Sequence, residues 1–408
     1  MNCGLLGRKL GHSYSPQIHA MLGDYTYTLF EKEPEEVEDF LRSGPFTGLN
    51  VTIPYKKTVL PFCDVLSPRA RALGAVNTIV RREDGSLVGH NTDYFGFASL
   101  VRKAGLDPAG KKTLVLGSGG ASNTAVAVLK AMGAQVVVIS RSGENHYGNL
   151  DRHADASLLV NATPVGMYPH PGVSPVDLGR FPRLEGVLDM IYNPCRTRLL
   201  MDAAQRGLTC ANGLWMLVAQ AKESAEWFTG QPISDDRIAP IHAALRREME
   251  NMILIGMPGS GKTTVARLLA AATGRPVVDA DEEIEKAAGM SIPAYFAAYG
   301  EDAFRKLETS VLANHAMRSG LILATGGGCV TRPENDDLLR QNGTVFCLNR
   351  RPEALPTDGR PLSQKTDPVR LYEIRKPMYR RAADVFIDNN GTPEDSVRQI
   401  LKHWEEET

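Results

Sequence analysis

The stretch ILIGMPGSGKTT, from Ile253 to Thr264, joins an apolar run to a glycine-rich turn, and the helix-like run VARLLAAAT follows it. Its letters match GxxxxGK[ST], a pattern in which successive backbone N–H groups face phosphate oxygens at a helix N-terminus. The stretch therefore predicts a strand, a phosphate-binding loop and a helix that together hold a nucleoside triphosphate. The residues predicted to contact it are Gly256, Pro258, Gly259, Ser260, Gly261, Lys262, Thr263 and Thr264.

Two acidic residues follow the next predicted strand. The segment VVDADEEIE places Asp279 and Asp281 two residues apart at the end of that strand. Alternate residues of a strand face the same way, so both carboxylates can enter one site. One carboxylate can serve a magnesium ion, which the Thr263 hydroxyl also suits, and the other can serve an acceptor hydroxyl. The alternative is an acidic, solvated helix start.

A second glycine-rich loop precedes the first in the chain. The stretch LVLGSGGAS, from Leu114 to Ser122, opens like the dinucleotide pattern GxGxxG, with Ser122 at the third glycine position. Roughly twenty residues after the first glycine, where an acid would bind a free ribose 2′-hydroxyl, the chain has SRS instead. Arg141 in that triplet suits a 2′-phosphate, which favours NADP(H) over NAD(H). A solvated surface arginine is the alternative.

The composition is that of a globular protein. The chain has 408 residues, 43% hydrophobic and 23% charged, which suggests two or three domains with a buried core. A net charge of -1 gives no overall field for nucleic acid or an anionic membrane. The six cysteines form no CxxC pair and read as reduced thiols. No apolar run approaches the length of a membrane span, and the first residues do not suit a signal peptide, so we expect a cytoplasmic protein.

The C-terminal motifs resemble one family. After the phosphate loop come DADEEIE, YGEDAFRKLE, TGGG, GRPL and RKPMY in this order, and from Asn251 to about Leu401 the chain resembles shikimate kinase. The resemblance implies that Asp279 holds magnesium through water. It implies a shikimate site made by Asp281, Arg305, Gly327, Gly328 and Arg375. The catalytic residues would be Lys262, Asp281 and Arg360, the last in a short lid that lacks a second arginine.

The N-terminal motifs resemble another family. GHSYSPQIH, GLNVTIPYKK, GAVNT, GHNTDYFGF, NATPVGM, DMIYNP and GLWMLVAQA occur in the order found in shikimate dehydrogenase, from about Gly4 to Gly230. By this resemblance Lys56 is the proton donor to the ketone oxygen and Asp93 orients it. The substrate would be surrounded by Ser13, Ser15, Thr52, Asn77, Tyr192 and Gln220. The cofactor would be held by Gly117, Gly119, Gly120, Ala121, Ser140, Arg141, Thr163, Met190 and Gly213.

These patterns predict an α/β fold with three domains. Strand-like runs alternate with helix-length segments, which favours parallel sheets, and the alternation restarts at Asn251. We predict a substrate-binding domain over 1–97, completed by helices of 210–250, and a Rossmann NADP-binding domain over 98–209. A P-loop domain like that of nucleoside monophosphate kinases would cover 251–408. Between SRS and NATPVGM only about twenty residues remain, where a helix and a strand usually intervene.

Together the two resemblances imply consecutive reactions. NADPH would reduce 3-dehydroshikimate to shikimate, and ATP with Mg²⁺ would phosphorylate shikimate. Three alternatives stay open: a pair that prefers quinate in its first half, a non-catalytic sensor of pathway intermediates, and an enzyme with one impaired half, for which the short lid points to the kinase. We expect small-molecule partners, neither nucleic acid nor membrane, and the sequence is compatible with a homodimer.

Overall fold

The computed structural model describes residues 1–11, 13–355 and 367–406. The chain divides into two compact units. The first comprises Met1–Val165, Ser174–Tyr192 and Leu199–Ala243, and the second comprises Gly166–Val173, Asn193–Arg198 and Ala244–Thr408. The described residues form three sheets flanked by helices, so the α/β class predicted from the sequence is confirmed.

The first sheet is mixed and has the strand order β2-β1-β3-β5-β6-β4. Its strands are β1 (Asn2–Gly7), β2 (Thr26–Glu31), β3 (Gly48–Val51), β4 (Val65–Leu66), β5 (Thr78–Arg81) and β6 (Leu87–His90). Strand β5 runs antiparallel to both β3 and β6, whereas the other pairs are parallel. The helices that follow these strands or pack near them are α1 (Ser15–Leu22), α2 (Val37–Ser43), α3 (Pro68–Leu73), α4 (Asp93–Lys103) and α7 (Leu214–Thr229).

The second sheet is wholly parallel and has the order β11-β10-β9-β7-β8. Its strands are β7 (Lys112–Leu116), β8 (Gln135–Ile139), β9 (Leu158–Asn161), β10 (Gly186–Asp189) and β11 (Thr209–Ala211). Helix α5 (Gly120–Ala131) links β7 to β8, and α6 (Arg198–Gln205) precedes β11. Between β8 and β9 the chain forms only a 3₁₀ segment, Tyr147–His153. This is the place where the sequence was too short for the usual additional helix and strand.

The third sheet is also parallel, with the order β13-β14-β12-β15-β16. Its strands are β12 (Asn251–Ile255), β13 (Val277–Asp279), β14 (Ile322–Ala324), β15 (Gly343–Asn349) and β16 (Val385–Asp388). Helix α8 (Ile238–Met249) leads into this sheet, and the helices that follow are α9 (Lys262–Thr273), α10 (Ala280–Ala288), α11 (Ile292–Ala316), α12 (Pro333–Arg340), α13 (Pro368–Ala382) and α14 (Pro393–Glu406).

Strand β12 shows why this sheet is covered on both faces. All five of its residues are buried, as expected for the centre of a parallel sheet between two helical layers. Ile253 and Ile255 belong to one apolar cluster, and Met252 and Leu254 belong to another. The loop that follows β12 is therefore anchored by core packing on both sides of the sheet.

The structure also bears on the cysteines and on membrane-spanning helices. The six cysteines all lie among the described residues and are free thiols. No helix in the described part of the chain combines the length and the apolar character needed to cross a bilayer.

Two candidate active sites

The centre of the first candidate site is an ion pair. Lys56 lies in the turn after β3, and Asp93 is the first residue of α4. The Lys56 Nζ donates to Asp93 Oδ2 at 2.6 Å, and the two side chains are only 30% and 15% exposed. A charge-assisted hydrogen bond that is partly shielded from water holds its geometry better than an exposed pair. The structure thus places an oriented cation beyond the carboxyl end of β3, an inner strand of the first sheet.

Asn77 and Gln220 complete this polar group. Asn77 Nδ2 donates to the free oxygen of Asp93, Oδ1, at 3.0 Å. The Thr92 backbone N–H donates to Asn77 Oδ1 at 2.7 Å, and because that group is a donor it fixes which way the Asn77 amide faces. Gln220 Oε1, from α7, lies 3.5 Å from Asn77 Nδ2. Four of the residues selected from the sequence therefore meet at one point.

The serines and Thr52 lie on neighbouring segments. Ser13 and Ser15 stand at the start of α1, where the Ser15 N–H donates to Ser13 Oγ at 3.2 Å. Thr52 follows β3 directly, and its N–H donates to the Leu6 carbonyl at 2.9 Å. Tyr192 packs edge-on against Tyr14, between the two serines in sequence, with ring centroids 6.4 Å apart. Burial raises the pKa of the Tyr192 hydroxyl, which therefore stays a neutral hydrogen-bond donor.

The loop after β7 has the form expected for an anion site. Gly117 has a φ of 106°, and a Cβ there would lie 3.1 Å from the Ala162 carbonyl oxygen, so glycine is required. Gly119 and Gly120 begin α5 with open space above them, and Ala121 is exposed beside them. Helix N-termini of this kind bind phosphate through free N–H groups.

Ser122 takes over a fixing role in this loop. Its side chain is buried, and its Oγ donates to the Gly117 carbonyl at 2.7 Å. The residue at the third glycine position of the pattern therefore ties the start of the loop to the first turn of α5. The sequence showed the departure from glycine but not this contact.

Two residues that were predicted to hold the cofactor, Ser140 and Arg141, follow β8. Ser140 Oγ donates to the Ser142 carbonyl, which tightens the turn in which Arg141 stands. Arg141 is exposed, so its guanidinium is accessible to a phosphate.

The carboxyl ends of β9, β10 and β11 are followed by Thr163, Met190 and Gly213, respectively. Thr163 Oγ1 donates to Asn161 Oδ1 at 2.7 Å. A Cβ on Gly213 would lie 2.1 Å from the Met190 carbonyl oxygen, so only glycine fits there.

The pair that links β9 to β10, Asn161 and Asp189, was not predicted from the sequence. Asn161 Nδ2 donates to Asp189 Oδ1 at 3.0 Å, and both residues are fully buried. Asp189 Oδ1 also accepts from the Ile191 N–H at 3.0 Å. The pair therefore holds the two loops that carry Thr163 and Met190. The available signal was a polar residue at the end of each of two buried strands.

The second candidate site begins with the phosphate loop after β12. Gly256, Gly259 and Gly261 have φ values of 146°, 82° and 89°, a region that favours glycine. Lys262 opens α9, and its Nζ donates to the carbonyls of Gly256 at 3.0 Å and Met257 at 3.1 Å. The ammonium group is thereby held over the loop.

The remaining loop residues have distinct surroundings. Ser260 is fully buried, whereas Thr264 is exposed in the first turn of α9. A Cβ on Gly327 would lie 2.6 Å from Pro258 Cδ, so the phosphate loop lies against the glycine run after β14.

Thr263 and Asp279 form the candidate magnesium site. Thr263 Oγ1 donates to Asp279 Oδ2 at 2.7 Å. Among the described residues there is no cluster of three or more His, Cys, Asp or Glu side chains that suits a metal. Mg²⁺ usually keeps several waters and takes only one or two protein ligands, so a hydroxyl and a carboxylate beside a phosphate loop fit it.

Asp281 faces the glycine run. Its N–H donates to Asp279 Oδ1 at 3.0 Å, and a Cβ on Gly326 would lie 2.9 Å from Asp281 Oδ1. Burial raises the pKa of the Asp281 carboxyl, and the Lys262 ammonium acts in the opposite direction. The Asp281 carboxylate is therefore a stronger base than an exposed aspartate, and it lies beside the backbone of Gly326.

Two buried arginines meet the same run. A Cβ on Gly328 would lie 2.2 Å from Arg305 Nη2. Arg375 Nη1 donates to the Gly327 carbonyl at 3.2 Å. One carboxylate, that of Asp281, and two guanidinium groups therefore lie close to the run from Gly326 to Gly328.

Three partners of these residues were not identified from the sequence. Glu308 accepts from Arg305 Nη1 at 2.6 Å, and Tyr379 OH donates to the Gly327 carbonyl at 2.6 Å. Their helical spacing from Arg305 and Arg375 was the available signal. Asn389 Nδ2 donates to the Ser260 carbonyl and fixes the phosphate loop from β16, a contact with no local pattern. Arg360, predicted in the lid, lies outside the described residues.

Family models match both halves of the chain. Residues 5–79 match the shikimate dehydrogenase substrate binding domain, and residues 258–405 match shikimate kinase. A shikimate dehydrogenase (NADP(+)) of Clostridium perfringens strain SM101 is 35% identical over 265 residues, covering 60% of this chain and 97% of the relative. That of Dehalococcoides mccartyi is 38% identical, covering 56% of this chain and 90% of the relative.

Solved structures similar to this chain are also shikimate dehydrogenases. Shikimate dehydrogenase 1 of Peptoclostridium difficile is 36% identical with a TM-score of 0.56, covering 60% of this chain and 97% of that one. The Thermus thermophilus enzyme, solved with NADP(H) and shikimate, is 30% identical with a TM-score of 0.54, covering 60% and 99%. The chain therefore belongs to the shikimate dehydrogenase family, and its C-terminal part is a shikimate kinase domain.

Proposed function

We propose that this chain catalyses two consecutive reactions, the NADPH-dependent reduction of 3-dehydroshikimate to shikimate and the ATP-dependent phosphorylation of shikimate to shikimate 3-phosphate. The observation that carries the proposal is that one chain holds both an oriented Lys56–Asp93 pair and a phosphate loop packed against an arginine-lined glycine run. The names of the relatives and the two family matches support the same pair of activities.

In the reduction, Lys56 is the proton donor. A nicotinamide cofactor, when bound, would supply a hydride to the ketone carbon, and the negative charge that develops on the ketone oxygen would need a proton. Lys56 gives that proton from Nζ and regains one from solvent. Asp93 Oδ2 accepts a hydrogen bond from Nζ at 2.6 Å, which aims the remaining N–H bonds at the substrate.

The same half is proposed to prefer NADP(H). The free N–H groups of Gly119 and Gly120 at the start of α5 suit the pyrophosphate. Arg141 is exposed immediately after β8, where a 2′-phosphate would need a cation. Several relatives carry NADP(+) in their names, which supports this choice.

In the phosphorylation, Arg305 and Arg375 bind the carboxylate of shikimate. Two guanidinium groups beside bare glycine backbone suit a flat, acidic ring. Asp281 then accepts the proton of the attacking hydroxyl, a role that its raised pKa favours. Thr263 and Asp279 would hold Mg²⁺, which neutralises charge on the transferring phosphoryl group when bound.

One assay of the purified full-length chain tests the proposal. The protein is supplied with 3-dehydroshikimate, NADPH, ATP and Mg²⁺, while NADPH loss and ADP formation are followed separately. We expect ADP only when NADPH is present or when shikimate replaces the first substrate. NADPH loss without ADP, even with added shikimate, would mean an impaired kinase half; no change in either would favour a sensor. Replacing the substrates by quinate with NADP⁺ tests the quinate alternative, since a quinate dehydrogenase of Corynebacterium glutamicum is 28% identical.

A glycine variant tests the shikimate site. Gly328→Ala would place a Cβ 2.2 Å from Arg305 Nη2, which forces the guanidinium out of its position. Because small displacements of a clamping group are costly, the KM for shikimate should rise on the order of tenfold to a hundredfold. Kinase kinetics with varied shikimate and ATP measure this, with dehydrogenase activity of the same protein as the internal control. An unchanged KM for shikimate would remove Arg305 from the carboxylate site.

A further inference from the structure

A closed ring of buried hydrogen bonds lies beneath Asn77. Its members are Asn77, Thr92, Ser224 and Thr78, none more than 2% exposed. The distances around the ring are 2.9 Å from Asn77 Nδ2 to Thr92 Oγ1 and 3.0 Å from Thr92 Oγ1 to Ser224 Oγ. From Ser224 Oγ to Thr78 Oγ1 it is 2.8 Å, and from Thr78 Oγ1 to Asn77 Oδ1 it is 3.2 Å.

The hydroxyls of the ring have several neighbours that can accept their protons. Asn77 Oδ1 accepts from the Thr92 N–H at 2.7 Å and lies 3.2 Å from Thr78 Oγ1. Ser224 Oγ also lies 2.9 Å from the Gln220 carbonyl oxygen, which can only accept, so the single Ser224 proton serves either that carbonyl or Thr78 Oγ1. One Asn77 N–H closes the ring on Thr92, and the other donates to Asp93 Oδ1 at 3.0 Å. Connected hydrogen bonds of this kind strengthen one another.

Ser224 is the residue at which this ring joins its surroundings. Asn50 Nδ2 donates to Ser224 Oγ at 2.8 Å, so Ser224 contacts a group outside the ring as well. Asn50 is itself held by Tyr27, whose hydroxyl donates to Asn50 Oδ1 at 2.8 Å. Ser224 also lies one helical turn after Gln220 on α7. Its exposure is 0%, so it has no surface that a substrate could touch.

We propose that Ser224 is a positioning residue of the dehydrogenase site, which acts through Asn77 on the Lys56–Asp93 pair. The inference rests on the proposed reduction of 3-dehydroshikimate. Asn77 can orient Asp93 only while its own amide is held. The Thr92 N–H holds the amide oxygen, and the ring adds the contact with Thr78 Oγ1 and accepts the second amide N–H on Thr92 Oγ1. Without the Ser224 hydroxyl, the Asn50 amide and two threonine hydroxyls lose a buried partner, which is costly enough to make them rearrange.

The primary test compares Ser224→Ala with the wild-type chain in steady-state reduction of 3-dehydroshikimate. We expect kcat to fall about tenfold to a hundredfold, because a lysine shifted by a fraction of an ångström donates its proton poorly. The KM for 3-dehydroshikimate should change less, since the buried Ser224 itself does not reach the substrate. Thr78→Val removes another hydroxyl of the ring with little change in shape and should give the same split between kcat and KM.

Thr113→Val is the matched control. Thr113 in β7 is fully buried, and its hydroxyl has no hydrogen-bond partner among the described residues, so this variant also deletes a buried hydroxyl but leaves the ring intact. We expect its kcat to equal that of the wild type. If Ser224→Ala fails to fold, Thr78→Val and this control still decide the question.

A double-variant comparison tests the route of action. Asp93→Asn breaks the chain from the ring to Lys56, so adding Ser224→Ala to it should lower kcat little further. Losses that multiply would overturn the proposal, because Ser224 would then act by another route. A wild-type kcat in both ring variants, or a change confined to KM, would also overturn it. A wild-type chain that consumes no NADPH would instead refute the proposed function itself.

Discussion

Lys56→Ala is expected to lower dehydrogenase turnover by about two to four orders of magnitude, the usual contribution of a positioned general acid. The alanine removes the Nζ that donates to Asp93 Oδ2 at 2.6 Å, and in the proposed mechanism the ketone oxygen then loses its proton donor. The effect should appear in kcat, since the developing charge exists in the transition state and not in the bound ketone. NADPH oxidation under saturating 3-dehydroshikimate measures it.

The chain offers a control one residue away. Lys57 stands in the same turn as Lys56 but is exposed, so Lys57→Ala removes an identical charge from the same segment without touching the site. Its turnover should match that of the wild type. The kinase activity of both variants should be unchanged. Equal losses in the two lysine variants would mean a general electrostatic effect, and loss of both activities in Lys56→Ala would contradict two separate sites.

The fold was largely predictable because its determinants are local. The phosphate loop after β12 needs positive φ values at three positions, and glycine stands at each of them. The apolar runs on either side of the loop predict a buried strand and a helix. The same reasoning gave the dinucleotide loop after β7, although Ser122 replaces the third glycine. Its hydroxyl contact with the Gly117 carbonyl could not be read from a pattern of letters.

The groups that hold the sites in place were less predictable, because they come together only in the folded chain. Asn161 and Asp189 meet across two strands 28 residues apart in sequence, and Asn389 reaches Ser260 across 129 residues. A resemblance to known families points to residues that face substrate. Ser224 faces none, so its proposed role rests on the distances around its ring.

The structure of the short segment between β8 and β9 could be predicted neither from local patterns nor from the family resemblance. Its length showed that a helix and strand were missing, but not what replaced them. In the structure a 3₁₀ segment, Tyr147–His153, is fixed by His146, which accepts from the Gly148 N–H at 3.1 Å, and by His153, whose Nε2 lies 2.9 Å from Asn145 Oδ1. Polar side-chain contacts within the segment replace the lost secondary structure.

Lys262→Ala is expected to lower kinase turnover by about two to three orders of magnitude, as loss of one fixed donor to a developing negative charge usually does. In the structure the ammonium is held by two carbonyls of the phosphate loop, at 3.0 and 3.1 Å, so it lies at the loop that is proposed to bind the phosphates. ADP formation with shikimate, ATP and Mg²⁺ measures the loss, and NADPH oxidation by the same variant should be unchanged.

Arg267→Ala separates this role from a general loss of positive charge. Arg267 lies on the same helix, α9, but its side chain is 71% exposed and its nearest carboxylate, on Glu282, is 3.7 Å away. An exposed pair of this kind contributes little, so kinase activity should remain near that of the wild type. Kinase turnover that survives Lys262→Ala would remove the phosphate loop from the mechanism, whatever its sequence suggests. An equal fall in both variants would show that the positive charge of the helix matters in general. A specific contact between Lys262 and phosphate would then be excluded as the cause, since the exposed Arg267 makes no such contact in the proposed mechanism.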